Sequence, residues 1–149
     1  HGNREIVSYW ADGNITRSNW AEIGLDSRKF SQALHRLGMK KGDRIATIAM
    51  NHAHHLISWY GSAGIGGILH TVNPRLFEEQ LVYVINHAED RVLLFDKMFA
   101  PIVEMIKPQL KTVAILNGSK LMKMTPAVFV IPAALPAIQR ACSTSIART

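Results

Sequence analysis

Thirty consecutive residues, 45 to 74, contain no Asp, Glu, Lys or Arg. A stretch so free of charge belongs either in lipid or in the interior of a folded domain. Asn51, His52, His54 and His55 break it up, and the apolar part that follows, 56–69, is shorter than the roughly 20 residues that cross a bilayer. The interior of a domain is therefore the expectation, and no membrane span is expected. Within the stretch, 44–49 is an apolar run suited to a strand covered on both faces. Asn51 can cap a helix over about 54–64, and 68–72 reads as a second buried strand.

The same alternation extends to both sides. Residues 6–10 form a short apolar run that ends at the turn-forming Ala11-Asp12-Gly13-Asn14, which predicts a hairpin or surface strand pair. Ser18 is the expected N-cap of the next helix, with Glu22 in its first turns. Trp20, Ile23, Phe30, Leu34 and Leu37 recur at helical spacing, and Gly38 stands where a left-handed C-terminal cap belongs. Asn73-Pro74 marks a break before a helix at 78–87 that turns Leu81, Val82 and Ile85 inward. A strand at 92–95, a helix at 99–106 and a strand at 112–116 complete the series. Strands and helices joined by short connections predict an α/β domain with a parallel sheet and right-handed crossovers.

Charge narrows the function classes. The formal net charge is +6, but the part up to Leu116 holds 13 basic and 11 acidic residues, while Lys120, Lys123, Arg140 and Arg148 belong to the tail. No basic face is built into the body, and nucleic acid is not an expected partner. Cys142 is the single cysteine, so neither an intrachain disulfide nor a Cys-based zinc site is available, and a reducing, cytoplasmic setting is the expectation. No charged segment followed by an apolar run opens the chain, so no signal peptide is expected. The first residue is His1 rather than Met, which leads us to expect a reading frame that begins upstream. Beyond Leu116 the texture changes: three of the six prolines (Pro126, Pro132, Pro136) fall close together and there is no acidic residue. Residues 117–149 are read as an atypical Ala/Pro-rich tail, expected to be disordered. It is either a true terminus or sequence never selected to complete this fold, as after a frameshift or truncation.

Motifs that could carry chemistry fare poorly. Gly64-Ile65-Gly66-Gly67 lacks the last glycine of a dinucleotide fingerprint and lies between a helix and a strand, the reverse of what phosphate binding needs. Close packing of helix on sheet is the expected role of Gly61, Gly64 and Gly67. Asn117-Gly118-Ser119-Lys120 is too short and wrongly ordered for a phosphate loop. His52, His54 and His55 are the sharpest metal candidates, but zinc needs three or four anchored ligands and no carboxylate is near in sequence, so they are read as loop and helix-start residues. His87 suits the negative end of its helix. Glu78-Glu79 and Glu89-Asp90 are expected to be solvated helix-end charges. No catalytic, cofactor-binding or metal-binding residue is assigned.

Five segments carry a resemblance, and they occur in order along 1–116: His1-Gly2-Asn3-Arg4-Glu5-Ile6-Val7, Gly38-Met39-Lys40-Lys41-Gly42-Asp43-Arg44-Ile45-Ala46, His70-Thr71-Val72-Asn73-Pro74-Arg75-Leu76-Phe77, Ile85-Asn86-His87-Ala88-Glu89-Asp90-Arg91 and Phe95-Asp96. The third is the most specific. Together they resemble the amino-terminal region of AMP-forming fatty acyl-CoA synthetases, of the adenylate-forming superfamily. The resemblance implies part of a doubly wound sheet: residues 1–116 as the amino-terminal portion of an AMP-binding domain. It implies an enzyme that activates a fatty acid with ATP and Mg²⁺ to an acyl-adenylate and passes the acyl group to CoA. The family's Ser/Thr/Gly-rich phosphate loop and catalytic lysine match nothing between Leu116 and Thr149, so the expectation is an inactive fragment that binds none of these cofactors itself. The competing reading is a small non-catalytic α/β module that binds a partner or nucleotide. A truncated sheet with Ile45, Ile48, Ile68, Leu69, Leu93 and Leu94 short of cover is further expected to self-associate.

Overall fold

The structure is a computed structural model that describes residues 1–111 and 114–118. Strands β1 (Glu5–Tyr9) and β2 (Ile15–Asn19) form an antiparallel hairpin closed by the expected turn. Helix α1 (Trp20–Arg36) follows at once, then β3 (Arg44–Ile48), α2 (Ala53–Gly64), β4 (Ile68–Thr71), α3 (Glu78–His87), β5 (Val92–Phe95), α4 (Ala100–Ile106) and β6 (Ala114–Asn117). Short 3₁₀ turns at Lys97–Phe99 and Lys107–Gln109 flank α4.

Local chemistry sets the boundaries. Ser18 still pairs with Ile6 in the hairpin ladder, so the cap of α1 falls one residue later than expected, on Asn19. The Glu22 amide donates to Asn19 Oδ1 at 3.0 Å and Glu22 Oε2 accepts from the Asn19 amide at 3.2 Å, a reciprocal capping box. At the other end Gly38 takes φ +76°, and the Met39 amide donates back to the Leu34 carbonyl at 3.1 Å. The cap of α2 also falls one residue later than expected, on His52 instead of Asn51.

Strands β4, β3, β5 and β6 lie in that order, all parallel. The path from β3 moves one place outward to β4, then crosses back over β3 to β5 and continues to β6. Moves in opposite directions use opposite faces of the sheet, as crossovers of one hand require. Helices α1 and α2 cover one face, packing Ile23, Phe30, Leu34 and Ile57 against Ile45, Val92 and Leu94. Helices α3 and α4 cover the other, with Leu81, Ile85, Val103 and Ile106 against Ala46, Ile48 and Leu93. Successive residues of β3 and β5 thus enter opposite cores, which is why both strands read as unbroken apolar runs. The sheet is doubly wound.

Three expectations change. The sheet is not short of cover along its centre: Ile45, Ile48, Leu93 and Leu94 are fully buried between the helix layers. Of the six residues, only Ile68 and Leu69 are open: they lie on the edge strand β4, Ile68 half exposed and Leu69 half-buried. Gly61 and Gly64 serve helix–helix rather than helix–sheet contact. A Cβ on Gly61 would meet Phe30 at 2.5 Å and the Ser27 carbonyl oxygen at 2.8 Å, and one on Gly64 would meet Ser31 Oγ at 2.8 Å. Gly67 alone of the three faces a sheet residue, Ile45 at 3.0 Å. Asp90 is not a solvated charge: it is buried, and its Oδ2 accepts from His70 Nδ1 at 2.7 Å while Oδ1 has no partner. Burial pushes the Asp90 carboxyl above its ordinary pKa, with the His70 hydrogen bond and charge and the Arg44 charge opposing in part. Glu89, beside it, is exposed as expected. The expected strand 112–116 is found as Ala114–Asn117, and the expectations for the tail beyond 118 fall outside the described residues.

Candidate functional site

A doubly wound sheet opens a crevice where neighbouring strands send their connections in opposite directions. Here that point lies at the carboxyl ends of β3 and β5. The chain leaves β3 through Met50, Asn51 and His52 toward α2, and leaves β5 through Asp96, Lys97 and Met98 toward α4. The crevice between them has a volume of about 520 Å³ and is lined by Trp10, Asp12, Met50, His52, Asp96 and Met98, among others.

Asp96 organises it. Its Oδ2 accepts from the Met50 amide and from His52 Nε2, each at 2.8 Å, and its own amide donates to the Ile48 carbonyl at 3.0 Å. Two loops 46 residues apart in sequence are joined by one carboxylate oxygen. Burial pushes the Asp96 carboxyl up, but the hydrogen bonds from His52 and Met50 and the charges of His52 and His54 outweigh it, so its pKa lies below the ordinary value.

The His52 side chain is 3% exposed, and both ring nitrogens are engaged. Nδ1 accepts from the His55 amide at 3.3 Å as the helix cap, which assigns the proton to Nε2, the atom that faces Asp96. Trp10 stacks on the His52 ring at 4.4 Å between centroids, and its indole N–H donates to Thr16 Oγ1 at 2.8 Å. His54 meets Trp10 edge-on at 4.8 Å. His55 Nε2 lies 3.1 Å from Thr47 Oγ1, and burial first, then the neighbouring His52, lower its pKa. Buried Ser8 accepts the Ala53 amide at 2.9 Å, pinning the hairpin to the start of α2.

The three histidines read as metal candidates therefore each hold a different part of this corner. Among the described residues no three His, Cys, Asp or Glu side chains are grouped to hold a metal ion. Both nitrogens of His52 are engaged, so this ring ties the start of α2 to the loop after β5. Sequence reasoning singled out His52, His54 and His55 but not Asp96 as their partner, although Phe95-Asp96 was among the resembling segments. The only signal for that pairing was an aspartate at the end of a strand that, in a doubly wound sheet, abuts β3. His87 does lie at the end of its helix and stacks on Tyr83 at 5.3 Å. No helix among the described residues is long and apolar enough to cross a membrane.

Comparison with known proteins agrees with this fold. Residues 1–136 match the family described as AMP-binding enzyme, a match that continues past Leu116. Over 113 residues, 76% of this chain, the sequence is 52% identical to a 3-methylmercaptopropionyl-CoA ligase of Ruegeria lacuscaerulensis and 50% identical to a medium-chain-fatty-acid–CoA ligase of Ectopseudomonas oleovorans. In both cases the match takes in 21% of the relative, so the chain spans about a fifth of the length of these curated relatives. A Mycobacterium tuberculosis fatty acyl CoA synthetase superposes with a TM-score of 0.66 at 20% identity, over 76% of this chain and 25% of that one. With the family match covering most of its residues and the doubly wound sheet shared with a solved synthetase, this chain belongs to the AMP-binding enzymes.

Proposed function

We propose that the chain is the amino-terminal scaffold of a cytoplasmic fatty acid–CoA ligase. Such an enzyme forms an acyl-adenylate from a fatty acid and ATP with Mg²⁺, and then transfers the acyl group to the CoA thiol. The observation that carries this reading is the identity of about one half, over most of the chain, to ligases that bear fatty-acid and methylmercaptopropionyl names. The sheet and its helices lie within residues 1–117, one residue further than the expected boundary at 116, and the residues beyond 118 remain a separate tail in this reading.

The chain's own crevice is a poor seat for ATP. A triphosphate needs free amides and cations around it. At the start of α2 the amides of Ala53, His55 and Leu56 are already taken by Ser8 and by the His52 ring and carbonyl. Among the described residues, the crevice lining presents the Asp12 and Asp96 carboxylates, with Lys97 as its single lysine or arginine. This donor set does not fit a polyphosphate, so no chemical step is placed in this crevice, and the competing reading of a self-standing nucleotide module loses support.

The expected result is that the purified chain shows no carboxylate-dependent exchange of pyrophosphate into ATP and forms no CoA thioester with octanoate, palmitate or 3-methylmercaptopropionate. Exchange that grows with protein concentration and co-elutes with the chain through two unrelated columns would contradict the scaffold reading.

A further inference from the structure

A helix is usually capped by an oxygen of Asn, Asp, Ser or Thr, which accepts a backbone amide throughout the neutral range. An imidazole nitrogen can do so only while it carries no proton. At the start of α2 that nitrogen is His52 Nδ1, 3.3 Å from the His55 amide, which it shares with the His52 carbonyl at 3.0 Å. The same ring is held on two other sides. Nε2 donates to Asp96 Oδ2 at 2.8 Å, and the Trp10 indole stacks on its face at 4.4 Å. The side chain is buried, so the ring has no solvent to swing into.

A second proton acts on these three contacts with opposite signs. It turns Nδ1 from an acceptor into a donor aimed at another donor, at the positive end of the helix dipole. It makes the bond to Asp96 charge-assisted and sets a cation over the Trp10 ring, so both of those contacts strengthen. We propose that His52 is a proton-operated latch: neutral, it caps α2; protonated, it keeps hold of Asp96 and Trp10 and releases the first turn of the helix. The groups around the ring fit this division. From the loop after β5, Asp96 stays ionised through the histidine range, because its hydrogen bonds from His52 and Met50 outweigh its burial and keep its pKa below the ordinary value. From α2, His54 meets the ring edge-on at 5.6 Å. His55 competes poorly for the proton, since burial and then the His52 charge lower its pKa. Asp12 of the hairpin turn and Lys97 line the same crevice. The acid form thus keeps the junction of the two loops and frees the helix start beside it.

Solution NMR of the full, isotope-labelled chain tests this from about pH 8 to about pH 5, the range in which histidine side chains titrate. At the alkaline end the His52 ring is expected to show the tautomer with its hydrogen on Nε2. As Nδ1 takes up a proton, exchange of the His55 amide, corrected for the intrinsic effect of pH, is expected to rise about fivefold with the same midpoint, the change in local opening that a typical cap controls. The Met50 amide, held by Asp96, keeps its protection, which separates release of the helix start from general acid unfolding. His52→Asn, whose side-chain oxygen caps without titrating, is expected to make His55 exchange independent of pH. Should that variant fail to fold, the coincidence of the two wild-type midpoints decides. A ring with its hydrogen on Nδ1 at the alkaline end, or one still neutral at the acid end, would overturn the proposal. So would His55 exchange that does not follow the His52 titration, Met50 protection lost along with it, or a folded His52→Asn that keeps the pH dependence.

Discussion

Gly61→Val is expected to destabilise the fold by about 3 kcal/mol, because it inserts a branched side chain where two helices touch. A Cβ alone at this position lies 2.5 Å from the Phe30 ring and 2.8 Å from the Ser27 carbonyl oxygen, and the second of these is backbone that cannot rotate away. Phe30 is itself fully buried against the sheet, so it has no free volume to retreat into. The sign of the smaller change, Gly61→Ala, decides between two effects. Alanine raises helix propensity by about 1 kcal/mol over glycine, while overpacking costs about 1–3 kcal/mol. We expect overpacking to win, with a net loss of stability for Gly61→Ala and a midpoint drop of roughly 10 °C for Gly61→Val. Paired urea and thermal melts measure it. A stabilised Gly61→Ala would mean that α1 and α2 are not in contact at this point.

Asp96→Ala is expected to cost about 2–3 kcal/mol, since one carboxylate oxygen serves two donors and one of them, His52, is buried. Removal leaves the His52 Nε2–H and the Met50 amide unpaired at the end of β3. Asp96→Asn keeps one acceptor and should cost less. The pH dependence has a definite sign. The folded carboxyl has a lowered pKa, so between that value and the unfolded one, ~3.9, the unfolded chain binds more protons. The stabilisation is therefore present in full above about pH 4 and disappears as pH falls through the folded pKa. Asp96→Asn should flatten that part of the stability profile. An unchanged acid slope in the variant would show that the carboxylate does not join the two loops.

Much of this fold is legible in the sequence because its signals are local. Helix α3 and strand β5 begin and end where the periodicity places them, since Leu81 and Ile85 mark one face and the run 92–95 is short and purely apolar. The caps of α1 and α2 each fall one residue late. Ser18 and Asn19 are equally good caps by residue type, and only the pairing of Ser18 in the hairpin ladder decides between them. A histidine cap is not what residue preferences favour, and His52 takes the place because Asp96 holds its ring from a strand far away in sequence. Asp90 reads as an exposed helix-end acid for the same reason: its partner, His70, lies twenty residues away on the edge strand. Glycines announce close approach but not the neighbour, so residue type alone sets Gly61 and Gly64 against the sheet when α1 is what they meet. The crevice was not visible at all as a site. It exists only once the strand order β4-β3-β5-β6 is known, and order is a property of crossovers rather than of any segment.

The scaffold reading is tested most directly by exchange into a working enzyme. The matched 113 residues of the Ectopseudomonas oleovorans medium-chain ligase would be replaced by their counterparts from this chain, and octanoyl-CoA formation measured beside the parent. Because the parallel sheet, its two cores and the Asp96 junction are built from this chain's own residues, the account predicts a folded chimera whose kcat lies within about tenfold of the parent, a loss of no more than roughly 1.4 kcal/mol in the transition state. A chimera that folds with a cooperative melt yet forms no thioester would contradict it.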